Sequence, residues 1–285
     1  MNLLYLATYT IGSNFNLRFA TKADGLFIFS IAGPKGPDMP EWKLHWLEAE
    51  GDLELWRPQI AAEIEAAHAT VSRSVVPPRL DILVERIPGK VIPEIGIAGH
   101  IYRRSLFALT LDPDNPNFAS SLRDGNLRRH VVHEVHHCLR KGGPGYGNSL
   151  GEALVSEGLA GQFVTRLFGT PPEPWERAVE SPVALSFFPA ADMMASTAYD
   201  HRAWFFGAGE QFPRWLGYTL GYMIVGRWLE TVPDVDGAAL VSVAAADVLS
   251  AWSNEYATAA SGLYGLLRCM SPLLGVSSTD RRNTF

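Results

Sequence analysis

The sequence predicts an α+β fold, on two observations. Short apolar runs bounded by turn residues fall within about the first 120 positions, and the long segments after them carry helical periodicity. With 285 residues, 47% of them hydrophobic and 19% charged, the chain has enough apolar surface to fill a sizeable core. One domain spanning residues 1–285 is expected, with a strand-rich lobe over about 1–120 and a helical lobe over about 121–285. The sequence shows no internal repeat and no low-complexity tract.

In chain order, residues 3–11 and 26–31 are apolar runs with polar breaks between them, and residues 33–40 are rich in Gly and Pro. This predicts a small strand-rich start followed by a loop. Residues 1–11 are apolar enough for the start of a secretory signal. They lack a Lys or Arg before the run and a small-residue cleavage site after it, so a buried strand and a cytoplasmic location are expected. Over residues 52–71, Leu53, Leu55, Trp56, Ile60, Ile64 and Ala67 recur with a helical period, and Pro77 and Pro78 stop any continuation. Residues 80–84 and 106–111 read as short buried strands with a loop over 88–99 between them. The turn cluster from Asp112 to Pro116 precedes one helix over 122–140, which Gly142, Gly143 and Pro144 end. A second helix fits 149–167, opening on Ser149 as N-cap with Glu152 at capping-box spacing. Residues 212–229 and 237–252, separated by Pro233, complete the helical half. No apolar stretch reaches the roughly 18–20 residues of a membrane span, so no membrane partner is expected.

A net charge of −6 and scattered arginines leave no basic field for phosphates, which argues against a nucleic-acid partner. Two cysteines, Cys138 and Cys269, are too few and too far apart for a disulfide framework or a Cys-ligated structural zinc. Cys138 reads as a small buried apolar residue.

The chemistry lies on the helix over 122–140. His133, Glu134 and His137 form an H-E-x-x-H pattern; residues four apart share one helix face, so both imidazoles reach one ion. Glu134 points to the same side but sits too far round to ligate, which leaves its carboxylate free as general base for the attacking water. A catalytic zinc takes three protein ligands and keeps a fourth position open, so a further His, Asp or Glu is expected downstream. Glu152 and Glu157 both stand on the next helix. Glu152 has a capping explanation near the helix start, with a hydrogen bond to a ligating His ring as the other reading. Glu157 sits mid-helix among Ala, Leu, Val and Gly, where an unpartnered carboxylate is costly; it is the preferred third ligand to one Zn²⁺ per chain.

An H-E-x-x-H helix followed about twenty residues later by a helix-borne Glu resembles the gluzincin group of zinc metallopeptidases. The strings His133-Glu134-Val135-His136-His137, Ser156-Glu157-Gly158-Leu159-Ala160 and the one running from Gly217 to Val225 together resemble a narrower bacterial family of predicted zinc-dependent proteases, domain of unknown function 2268. The resemblance covers roughly residues 96–230. It implies a zincin-like fold, with a strand rimming the cleft, the H-E-x-x-H helix beneath it and a following helix bringing the glutamate. Thr110 and Leu111 would then lie near the rim. Gluzincins commonly stabilise the oxyanion with a Tyr or His from outside the metal motif, which makes Tyr218, Tyr222 and His201 the candidates.

Other residues near the motif have structural readings. His136 points roughly 100° away from His137 around the helix and reads as a packing residue or as a partner to a ligand. His130, one turn before His133, reads either as the edge of the site or as solvated surface. The segment from Gly142 to Gly147 lacks a phosphate-loop pattern and reads as the link between the two metal-bearing helices. Hydrolysis of a peptide or related amide bond is the leading function, with a peptide or protein as substrate. The alternative is a catalytically silent zinc-binding regulatory or interaction protein on the same fold, a role that does not require a free carboxylate at Glu134.

Overall fold

The computed structural model describes residues 41–252 in full, together with the backbones of three strands nearer the N-terminus. The chain divides into two compact units, Met1–Glu41 and Trp42–Phe285. In the first, β1 (Tyr5–Thr10), β2 (Asn16–Thr21) and β3 (Phe27–Ala32) form an antiparallel meander in which Tyr5 faces Thr21 and Asn16 faces Ala32. The strand-rich start is as expected, whereas the burial of residues 1–11, the loop over 33–40 and Cys269 lie outside the described residues.

The second unit is α+β. Its sheet contains β4 (Trp42–Leu47), β5 (Leu80–Arg86), β6 (Ile97–Arg103) and β7 (Leu106–Leu111) in the order β4-β5-β7-β6. The β4–β5 and β5–β7 pairs are parallel, and β6 returns antiparallel to β7 at the edge. The crossover from β4 to β5 carries α1 (Arg57–Val71), as parallel pairing requires a long connection. Pro58 in its first turn sets the start, five residues later than the period of Leu53 and Leu55 implies. Leu53 is buried in the turn before the helix and Leu55 stands exposed.

The helix expected over 122–140 is two: α2 (Phe118–Arg123) and α3 (Asn126–Lys141). Gly125, at φ +73°, takes the left-handed conformation between them, which costs a glycine nothing and stops a helix. Next, α4 (Leu150–Phe168) is buried around nearly its whole circumference over its first four turns, as a central helix must be. Its Ser149–Glu152 capping box forms as the sequence indicates. Three short helices follow, α5 (Ser181–Ser186), α6 (Ala191–Met194) and α7 (His201–Phe206). They lead into α8 (Leu216–Thr231), which packs lengthwise on α4. The two approach to backbone contact: a Cβ on Gly158 would lie 2.0 Å from the Gly221 carbonyl oxygen, and one on Gly221 would lie 2.2 Å from that of Leu154.

The last expected helix is also divided, into α9 (Gly237–Ser242) and a helical stretch over residues 245–252. The buried Arg140 guanidinium explains the break, donating to the Val241 and Val243 carbonyls at 3.0 and 2.9 Å and drawing them out of helical pairing. The core runs from Ile60 and Ile64 of α1 through Ile82 and Val84 of β5 and Phe107 and Leu109 of β7 to Val131 and Val135 of α3 and Leu154 of α4. No helix among the described residues is long and apolar enough to cross a membrane.

Candidate metal centre

On α3 the 3.6-residue period stacks His133 and His137 on one face, and both rings are buried against the middle of α4. There Glu157 meets them. His133 Nε2 and His137 Nε2 lie 2.9 Å apart, and Glu157 Oε2 is 3.1 Å from the first and 3.4 Å from the second. Atoms bound at 2.0–2.1 Å to a tetrahedral ion are separated by roughly 3.3 Å, so this triangle has the size that zinc needs. Among the described residues it is the group of three able to hold a metal ion, and all three members are buried.

Burial alone would push the Glu157 carboxyl up. The His137 and His133 imidazoles, by charge and hydrogen bonding, outweigh it and hold Glu157 well below the usual carboxylate range. Its second oxygen, Oε1, accepts a 2.7 Å hydrogen bond from the Tyr146 hydroxyl. Tyr146 belongs to the Gly-rich link between α3 and α4 and was not a sequence candidate. The string Gly145-Tyr146-Gly147 holds the one usable signal, an aromatic residue between two glycines that both adopt positive φ.

Glu134 stands outside the triangle in the same cavity of about 340 Å³. Burial pushes its carboxyl up to about 7, with the His133 imidazole opposing and the Glu157 charge reinforcing. The carboxyl lies flush against β6: a Cβ at Gly99 would sit 2.4 Å from its Cδ. The strand rimming the cavity is therefore β6, through Ala98, Gly99, His100 and Ile101; it begins within the 88–99 stretch the sequence reads as loop and continues through residues for which no strand is expected. Thr110 and Leu111 lie one strand further in, on β7. Glycine inside a strand marks a close approach of another group, and at Gly99 that group is Glu134.

His130 is buried rather than solvated. Its Nε2 is 3.7 Å from Glu134 Oε1, and neither ring nitrogen has a hydrogen-bond partner among the described residues. Burial and the neighbouring His133 push it down to about 3, so the ring is neutral. His136 faces away as expected, its Nε2 3.3 Å from the Leu240 carbonyl oxygen. Cys138 is buried, and burial pushes its thiol up to about 12.

Of the three oxyanion candidates, the structure brings two to the cavity. Tyr218 and His201 line it together with Trp175 and Phe206. Burial, then the Glu157 and Glu134 charges, keep the Tyr218 phenol well above its ordinary value and so protonated. His201 stacks on Phe205 and is lowered by burial. Tyr222 is turned away, its hydroxyl donating to Thr165 Oγ1 at 3.1 Å, because one helical turn carries it past the cavity to the α4 side. Glu152 caps α4: its Oε2 accepts from the Asn148 and Ser149 amides, each at 2.9 Å.

A further buried carboxyl, Glu176, was not legible in the sequence. It lies in a 3₁₀ turn, Pro174–Arg177, where Oε2 accepts from the Glu173 amide at 2.7 Å and Oε1 is unpartnered among the described residues. Burial pushes it up to about 7. A carboxyl raised on folding stabilises the fold below its unfolded value near 4.5, and that contribution disappears as pH rises through about 7. In urea titrations of metal-free protein, Glu176→Gln is expected to flatten the fall in stability over this window by about 1.4 kcal/mol per pH unit. An unchanged slope would show that Glu176 does not titrate there.

No curated protein and no solved structure matches the chain. Residues 79–250, more than half of the chain and the part that holds every site residue described above, match the family described as "Predicted Zn-dependent protease (DUF2268)", and the chain belongs to that family.

Proposed function

We propose that the protein is a zinc-dependent peptidase of gluzincin type, with one zinc held by His133, His137 and Glu157 and with Glu134 as general base. The observation that carries this reading is the separation of roles in one cavity. Three ligand atoms converge to within 3.4 Å of one another, while a fourth buried group, Glu134, stands beside them uncommitted and has its carboxyl pushed up to about 7. A base that ionises near neutrality both accepts and returns a proton at working pH. A zinc-binding regulatory protein has no use for that costly carboxyl, which favours catalysis over the silent alternative.

Zinc held there supplies Lewis acidity, acidifying water and polarising a carbonyl oxygen. Glu134 takes the proton of the attacking water and passes it to the departing amine. The Tyr218 phenol and the neutral His201 ring face the same cavity and supply donors for the oxygen that gains charge. The apolar walls Ile92, Ile101 and Trp175 exclude bulk water, which strengthens each of these interactions. The substrate is a peptide or protein segment.

The test is zinc content by plasma mass spectrometry on protein purified without added metal. Wild type and Glu134→Gln are expected to carry one zinc per chain and Glu157→Gln much less, after which a peptide library identifies the cleaved bond. A wild-type chain that holds no zinc even after reconstitution overturns the reading.

A further inference from the structure

The two oxygens of Glu157 have different surroundings. Oε2 faces the paired imidazoles, and Oε1 faces the hydroxyl of Tyr146 at 2.7 Å. A free carboxylate binds a cation through one oxygen or both, and a donor fixed on one oxygen leaves the other as ligand. We propose that Tyr146 is a positioning residue that makes Glu157 a one-oxygen ligand and so keeps the fourth coordination position open. The proposal rests on the zinc reading above and assigns a task to a residue outside the metal motif.

The loop that carries Tyr146 is fastened for this task. Its main-chain carbonyl accepts from Ser156 Oγ at 2.7 Å, so the residue beside Glu157 in sequence also grips the loop. The next residue, Gly147, at φ +94°, lies so close to α4 that a Cβ would come within 2.2 Å of Glu152 Cβ. The Asn148 and Ser149 amides then donate to Glu152. Tyr146 is thus tied to α4 through its own carbonyl and through the three residues that follow it, and its ring lies edge-on to His137 with centroids 5.5 Å apart. One side chain orients the carboxylate ligand through its hydroxyl and packs against an imidazole ligand through its ring. Partners of this kind commonly change metal affinity 10–100-fold when removed.

The experiment compares wild type, Tyr146→Phe and Glu157→Gln. Zinc affinity is read by competition with a chromophoric chelator, and coordination number from the visible spectrum of the cobalt-substituted protein. Tyr146→Phe keeps the ring against His137, so its metal-free circular dichroism is expected to match wild type. Its zinc affinity is expected to fall about 10–100-fold. Its cobalt bands are expected to weaken as the freed Oε1 joins the coordination sphere, a change that loss of packing alone does not produce. Wild-type affinity and an unchanged cobalt spectrum in Tyr146→Phe, with zinc lost in Glu157→Gln, overturn this proposal and leave the zinc reading standing. Zinc retained in Glu157→Gln overturns both.

Discussion

Glu134→Gln is expected to bind zinc as wild type does and to hydrolyse peptide about 10²–10⁴-fold more slowly, the span associated with loss of a positioned general base. The two halves of this expectation have separate structural grounds. Metal retention follows because Glu134 lies outside the triangle formed by His133, His137 and Glu157. The rate loss follows because an amide of the same shape fills the space against Gly99 but cannot accept the proton. Folding is not expected to suffer, since burial already disfavours the charged carboxylate. Initial rates on a library-derived peptide, beside zinc content, check both halves. A variant that keeps its zinc and its rate removes Glu134 from the mechanism.

Gly158→Ala is expected to be the most damaging single-methyl change in the helical half. The added carbon would lie 2.0 Å from the Gly221 carbonyl oxygen and 2.8 Å from Val225 Cγ2, and a backbone oxygen cannot move aside as a side chain does. The α4 and α8 helices must part along a crossing where both are buried, a distortion that typically costs about 1–3 kcal/mol and occasionally more. Because Glu157 is the preceding residue, the displacement also pulls a ligand from the triangle, so zinc affinity is expected to fall with stability. Gly226→Ala on α8 is the control. Its Cβ would meet only the Gln162 amide nitrogen, at 3.1 Å, and the helix gains up to about 1 kcal/mol from replacing glycine. Urea midpoints for the two variants, with chelator competition for zinc, make the comparison. Equal stabilities would mean that the crossing is looser than the backbone contact implies.

The site was legible where one helix or one short connection dictates geometry. The H-E-x-x-H spacing fixes which side chains share a face of α3, and the contrast between a capping Glu152 and a mid-helix Glu157 follows from position and neighbours alone. What the sequence concealed depends on groups far apart in the chain. Strand β6 lacks a clean alternation because Gly99 yields its side-chain space to Glu134, so the contact that makes the strand functional also hides it. Tyr218 and Tyr222 share a face of α8, yet only Tyr218 reaches the cavity, since one turn along the helix carries Tyr222 past it to Thr165 of α4, and where the cavity ends along α8 is not written in the spacing. The division at Gly125 was missed because a single glycine is often tolerated within a helix, and here it takes positive φ instead.

The three proposed ligands and the proposed base all come from the contiguous stretch between His133 and Glu157, two successive helices and their link. The walls of the cavity come from β6 and, far downstream, from His201 and Tyr218. Closing a loop of this length costs little entropy compared with joining distant parts of the chain, so the metal-binding pair can assemble before the groove does. A zinc ion bound there would clasp the α3–α4 pair, and its binding free energy would add to the stability of whatever state holds that pair together. Variants that loosen the sheet without displacing α4 are therefore expected to keep any zinc the triangle binds after they have ceased to be able to hold a peptide.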